Sequence, residues 1–356
     1  MRKLKLLIYW MARQVGLFAL SRALTRRYLK ILCYHAFEVR DETSFRPRLF
    51  MSGAVFRRRM ETLAKYGVKV LPLESALHQM YSGTLEPDTV VITIDDGFQS
   101  VQTVAAPILK EHAFPSTLYV TSYYVEHDAP VFRLVVQYLF ERSAHSQVTL
   151  RGEEWHADGV ISLNDESQRE HAIEQCIQYG EQADEPTRQA ISQRLGELLG
   201  VSYEEIRTLR LFNLLRPRDV AAVREAGMDI QLHTHRHRFS MEDYEQVKRE
   251  ITDNRESLQK IVHGELRHFC YPSGEWQPQH WPWLKSLGVS SATTCLPGLN
   301  DAATSPFELR RFVDGEDIHQ LEFEAALSGF SDLLRAARGW LKPGRKMAAS
   351  TDQAYT

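Results

Sequence analysis

The 356-residue sequence has few cysteines, little net charge, no internal repeat and no low-complexity tract. Its four cysteines, Cys33, Cys176, Cys270 and Cys295, show no paired spacing, which argues against a disulfide framework and against a Cys-type zinc site. Reduced thiols fit a cytosolic setting. The formal charge of -3 and the absence of a basic groove interleaved with aromatics give no support to nucleic-acid binding. A secretory signal needs an uncharged apolar stretch and a small-residue cleavage site, and a spanning helix needs roughly 20 apolar residues. Neither pattern is present. What remains, 43% hydrophobic and 25% charged, is an ordinary globular composition able to bury one large core or two modest ones.

Acidic residues are missing altogether from positions 1–30, which carry Arg2, Lys3, Lys5, Arg13, Arg22, Arg26, Arg27 and Lys30. In the same stretch Leu4, Leu6, Leu7, Ile8, Trp10, Met11, Val15, Leu17, Phe18, Leu20 and Leu24 crowd onto a broad apolar helical stripe interrupted by Arg13. Residues 1–29 therefore read as one basic amphipathic helix. Such a helix either lies on an anionic membrane surface, here through residues 1–27 at the inner face, or docks on its own domain.

The run Val90-Val91-Ile92-Thr93-Ile94 ends at Asp95-Asp96-Gly97. Five consecutive β-branched residues predict a strand buried on both faces, and the paired acids then stand where it leaves the core. Further strands are expected at 30–35, 68–71, 116–121, 229–232, 267–271, 289–294 and 309–312, alternating with helical segments. That alternation indicates parallel βα units, with eight strand candidates in all. The rhythm breaks at 128–214, a helical insertion with a possible ribbon at Gln147–Leu150. Within it, residues 151–190 hold ten acids against three bases, a pattern that fits a solvated cap or a lid. The division expected is a helix at 1–29, the barrel at 30–127 and 215–320, the insertion at 128–214, and a C-terminal helix and tail at 321–356.

Tyr34/His35, Asp95/Asp96, His233/His237 and Tyr271/Pro272 all fall at strand ends, which a parallel barrel gathers on one face. One carboxylate with two histidines is a ligand set for a divalent metal, Zn²⁺ first among them. His233 and His237 share one side if the chain turns helically after the strand, which leaves His235 in a supporting or surface position. Of two adjacent acids at a strand end, one can bind metal while the other faces a reacting water. That combination describes metal-assisted hydrolysis, with the Tyr271 N–H available to a tetrahedral oxyanion.

Thr93-Ile94-Asp95-Asp96-Gly97 resembles the first motif of the polysaccharide deacetylases of the NodB-homology type, carbohydrate esterase family 4. His233-Thr234-His235-Arg236-His237 resembles the second. Tyr271-Pro272-Ser273-Gly274 resembles the Tyr-Pro-x-Gly form of the third, and Tyr34-His35 the pair that opens many bacterial members. The resemblance covers about 30–125 and 215–315. It implies an irregular seven- or eight-stranded (β/α) barrel of NodB type, TIM-like, with Asp95 as general base, Asp96, His233 and His237 as metal ligands, and the Tyr271 N–H as oxyanion donor. The substrate it implies is an N-acetylated, less often O-acetylated, sugar of a surface glycan or lipid-linked saccharide. Two departures stand out. Leu309-Arg310-Arg311 occupies the region of a Leu-x-His motif that supplies the acid, so Arg311 or His35 must be considered for the leaving group. An Arg that steadies the base is also missing from its usual motif, with Arg267 as a weak substitute. Deformylation of a related sugar amide, an amidohydrolase, and a non-catalytic glycan-binding or assembly factor are the alternatives.

Overall fold

The computed structural model describes residues 2–155 and 159–341. The tail expected at 342–356 lies outside them. The single N-terminal helix expected from the sequence is two helices, α1 (Arg2–Gln14) and α2 (Leu17–Thr25). Gly16, at φ 79°, separates them, and no helix among the described residues is long and apolar enough to cross a membrane.

All eight expected strands form and join one sheet: β1 (Lys30–Tyr34), β2 (Lys69–Val70), β3 (Thr89–Ile94), β4 (Ser116–Val120), β5 (Met228–Leu232), β6 (His268–Cys270), β7 (Ser291–Thr293) and β8 (Phe312–Val313). The order is β7-β6-β5-β4-β3-β1-β8, with β2 also on β3, and every pairing is parallel. The β-branched run is the centre of it. All six residues of β3 are buried, and β3 pairs with β1 from Lys30↔Val90 to Tyr34↔Ile94. Thr93 and Ile94 pair with β4. The last strand is shorter than expected, because Leu309 makes only an isolated parallel bridge to Thr293 of β7 before the chain enters β8. That bridge brings both ends of the curled sheet to one segment, the barrel geometry in which all strand C-termini share a mouth.

The 128–214 region folds as α3 (Phe132–Arg142), the expected Gln147–Leu150 ribbon paired antiparallel with Gly159–Ser162, α4 (Glu166–Gln182), α5 (Glu185–Leu199) and α6 (Tyr203–Leu209). Some of its acids are helix caps: the Asp165 and Asp184 carboxylates accept from the Gln168 and Thr187 N–H groups, satisfying first-turn donors. Val135, Val136, Leu139 and Phe212 belong to the same apolar cluster as Ile92 and Phe50. The insertion therefore shares the barrel's core. After β5 comes α7 (Tyr244–Gln259), and α8 (Phe330–Leu341) closes the described chain.

Candidate functional site

The site begins where β3 stops. Asp95 extends the ladder, its N–H donating to Tyr34 O at 2.9 Å, and the Gly97 N–H then donates back to Asp95 O. Asp96 has φ 70° and Gly97 φ 89°. A Cβ on Gly97 would stand 3.3 Å from the Val120 side chain, so this turn needs glycine for space as well as backbone freedom. The left-handed step sends the two adjacent carboxylates to different partners.

Asp96 faces the histidines. Its Oδ1 lies 3.2 Å from His233 Nε2 and 3.5 Å from His237 Nε2. One ligand atom from each of the three residues fits within 4.8 Å. His233 Nδ1 lies 2.8 Å from Cys270 O; the acceptor is a carbonyl, so Nδ1 carries a proton and Nε2 is the nitrogen turned to Asp96. Burial opposes charge on this ring, but Cys270 and Asp96 override it and raise its pKa well above the usual imidazole value, so a cation would take the place of the Nε2 proton. Burial pushes the His237 imidazole down to about 4, with His233 adding to the effect, so its ring is neutral near pH 7. Two imidazole nitrogens and a carboxylate, oriented from behind by a backbone carbonyl, fit a divalent cation.

Asp95 faces the other way. Arg311 grips it with Nη1–Oδ1 at 2.8 Å and Nη2–Oδ2 at 2.7 Å, and the rest of the guanidinium is tied to Thr93 Oγ1 and Thr294 O. Burial alone would raise the Asp95 carboxyl, but the Arg311 charge and hydrogen bonds override it and hold the group well below the usual carboxylate range. The Cys33 and Cys270 thiols lie 3.4 and 3.3 Å from the same Oδ2, and His35 Nε2 lies 3.7 Å from it. Burial lowers the His35 pKa, with Asp95 opposing.

All seven residues singled out in the sequence lie around this mouth, but two stand differently from expectation. Arg311 is fully buried behind Asp95, so it cannot meet a leaving group; it stands instead where the resemblance called for an arginine beside Asp95. Arg267 instead pairs with Glu74 and Glu265 before β6, at the opposite end of the strand. The Tyr271 N–H donates to Thr293 O at 3.3 Å, and its hydroxyl donates to Phe307 O, which directs both groups into the barrel wall rather than to an oxyanion. His35 remains at the mouth beside Asp95. The segment after β5 is not helical as expected: Thr234 (φ 65°) and His237 (φ 57°) are left-handed, and these bends bring His237 back to His233. His235 is a supporting residue, its Nδ1 2.9 Å from Ser122 Oγ.

Sequence reasoning missed Asn254 on α7. Its Oδ1 accepts from the His233 N–H at 3.0 Å and its Nδ2 donates to Val120 O at 2.9 Å, clamping the end of β5 to β4. The signal was there, since Asn254 is a polar residue on the apolar face formed by Val247, Ile251 and Leu258. A cleft of about 620 Å³ opens over Asp96 and His237, and the insertion supplies much of its wall through Val131, Arg133, Leu134, Gln137, Glu181 and Arg188.

Comparison with known proteins agrees with this geometry. The family model described as polysaccharide deacetylase matches residues 82–292. No curated protein matches the chain. Among solved structures, the Streptococcus pyogenes deacetylase PplD, in complex with acetate, superposes with a TM-score of 0.57 at 16% identity, covering 84% of this chain and 98% of that one. IcaB from Ammonifex degensii gives 0.54 at 16% identity, over 85% and 97%. The de-N-acetylase from Aggregatibacter actinomycetemcomitans gives 0.52 at 12%, over 84% and 99%. At these identities the superpositions show a shared fold, and the family match adds the chemistry: the chain belongs to the polysaccharide deacetylase family.

Proposed function

We propose that the chain is a metal-dependent hydrolase that removes N-acetyl groups from a sugar of a surface glycan or of its lipid-linked precursor. The observation that carries this reading is the division of labour at the end of β3, with Asp95 held ionised by Arg311 and Asp96 turned to His233 and His237. Asp96, His233 and His237 would hold the metal, Zn²⁺ being the first candidate for this donor set. When bound, the ion acidifies water and polarises the acyl carbonyl.

The remaining chemistry belongs to the chain. Asp95 accepts the proton of the attacking water, and Arg311 keeps the carboxylate charged and oriented. As the amide C–N bond breaks, the departing nitrogen takes a proton through His35 Nε2, which lies 3.7 Å from Asp95 Oδ2. One proton is removed from water and one is delivered to the amine, so the products are acetate and a free amino sugar. Asp95→Asn keeps the shape and removes the base. It should retain metal, measured by elemental analysis of the purified protein, and lose acetate release from N-acetylated glycans. Retained acetate release would disprove the assignment of Asp95; formate released in place of acetate would point to deformylation.

We further propose peripheral attachment to the inner face of the membrane through α1 and α2. Tyr9 and Ala12 of α1 pack with Phe18 and Ala325, while Lys5 and Arg13 pair with Glu322 and Glu324. That docking leaves Leu4, Leu7, Trp10, Met11, Leu20 and Leu24 exposed next to basic side chains, the pattern of a helix lying in a lipid interface. The double variant Leu4→Asp/Leu7→Asp should abolish co-flotation with anionic vesicles, and unchanged flotation would remove the idea.

A further inference from the structure

The cleft over the site carries more positive charge than amide hydrolysis uses. Arg46, Arg133, Arg188, Arg236 and Arg238 line it, and the only carboxylates among its lining residues are Glu181 and Asp96. Some of these arginines are balanced from behind. Arg188 pairs with Glu185 at 2.5 Å, and Arg236 with Glu250 at 3.1 Å and Asp253 at 3.5 Å. Others are not. The single carboxylate of Glu181 is divided between Arg133, at 3.1 Å from Oε1, and Arg238, at 3.4 Å from Oε2. Arg133 reaches one further acid, Glu174, only at 4.0 Å. Arg46 has no carboxylate within ion-pair distance among the described residues; its guanidinium lies 5.5 Å from the Phe45 ring centroid.

Arg46 is also half-buried, and its pKa is lowered by that burial, with Glu141 opposing and Arg133 adding to the lowering. A partly desolvated cation beside another cation is costly unless an anion completes the site. The guanidinium fork matches phosphate and carboxylate oxygens in pairs. The position is also close to the chemistry: Arg236 and Arg238 flank His237 in the chain, and Arg46 and Arg133 line the same cleft as Asp96 and His237.

We infer that the substrate carries an anionic group, phosphate or carboxylate, near the acylated nitrogen, and that Arg46 and Arg133 receive it. This rests on the deacetylase reading of the same site. The anion has two possible sources: the diphosphate of a lipid carrier, or a uronate or phosphate on a neighbouring sugar. The insertion acts as a specificity wall, with Arg133 from α3 facing Arg46 from the barrel side. Neutral N-acetylglucosamine oligomers would leave this pair unsatisfied.

The test has a binding arm and a turnover arm. Calorimetric titration of the full-length, metal-loaded protein with inorganic pyrophosphate should show saturable binding that weakens as salt is raised. Arg46→Gln should weaken it about tenfold or more, the worth of one charge-assisted contact. Arg218→Gln, an equal charge change at an exposed side chain that does not line the cleft, should leave it unaltered. Acetate release is then compared for a diphosphate-linked N-acetylglucosamine, a uronate-containing N-acetylated oligosaccharide and a neutral one. Preference for either anionic substrate, lost in Arg46→Gln through KM rather than kcat, supports the inference, and whichever is preferred identifies the source. No pyrophosphate binding, or binding equal in wild type and Arg46→Gln, overturns the inference even if deacetylation is observed. Pyrophosphate binding through Arg46 without acetate release from any substrate leaves the anion site standing and overturns the deacetylase reading instead.

Discussion

Replacing Arg311 by Met is the sharpest perturbation of the site, because the residue is fully buried and its guanidinium is completely engaged. The fork makes two bonds to Asp95, at 2.8 and 2.7 Å, one to Thr93 Oγ1 at 3.1 Å and one to Thr294 O at 2.9 Å, and its Nη2 also donates to Cys270 Sγ at 3.2 Å. Removing one partner of a buried ion pair leaves the other charge uncompensated, at a cost of about 3–5 kcal/mol. Thr93 Oγ1 still bonds to Leu32 O, so most of that loss comes from Asp95 itself. We expect Arg311→Met to lower unfolding free energy in urea by about 4 kcal/mol. The double variant Asp95→Asn/Arg311→Met should recover at least about 2 kcal/mol relative to the sum of the single changes, since it removes both charges together. The pH profile moves in a defined direction. With Arg311 the depressed Asp95 carboxyl contributes stability above its unfolded pKa, and that stability is lost only as pH falls through the lower folded value. Without Arg311, burial is opposed only by His35 and His233, so the Asp95 carboxyl rises and the acid limb of kcat/KM should shift to higher pH. Arg311→Lys keeps the charge but not the fork and should fall between. A loss below about 1 kcal/mol in Arg311→Met, or strict additivity in the double variant, would refute the pairing argument.

Two further outcomes follow from buried polar groups. Asn254→Ala strips the His233 N–H and Val120 O of their partner. It should cost about 2–4 kcal/mol in urea unfolding and weaken metal affinity about 10–100-fold by equilibrium dialysis, through the orientation of His233. Lys30 is a buried amine bonded to Thr25 O, and burial lowers its pKa to about 8. Its neutral form is favoured in the folded state, so the unfolded chain binds the extra proton between pH 8 and 10.5 and stability should rise across that window. The rise should approach about 3 kcal/mol in urea unfolding and disappear in Lys30→Met.

Much of the molecule was legible from pattern alone. The eight strands were readable because runs such as Val90–Ile94 are β-branched and apolar on both faces, the pattern of a covered parallel sheet. Asp95, Asp96, His233, His237 and His35 were readable because they stand at the ends of such runs, where side chains leave the core. Helix caps such as Asp184 are likewise local, depending on a side chain and an N–H three residues on.

Residues whose role depends on a partner far along the chain were not legible. Arg311 lies 216 positions from Asp95, and only the closing of the sheet through Leu309 and Thr293 turns its fork inward onto the carboxylate. Asn254 is a lone polar residue on an apolar helix face, and its role is set only by β4 and β5 packed beside it. The direction of the Tyr271 N–H depended on the register of β6 against β7, and the separation of Asp95 from Asp96 on a left-handed turn packed under Val120. The sequence by itself determined which side chains could do chemistry, because residue type and periodicity are local properties. Tertiary structure decided how Asp95 is held charged, by Arg311, and that the acidic-looking insertion turns arginines to the cleft, because electrostatics and hydrogen bonding act between neighbours in space.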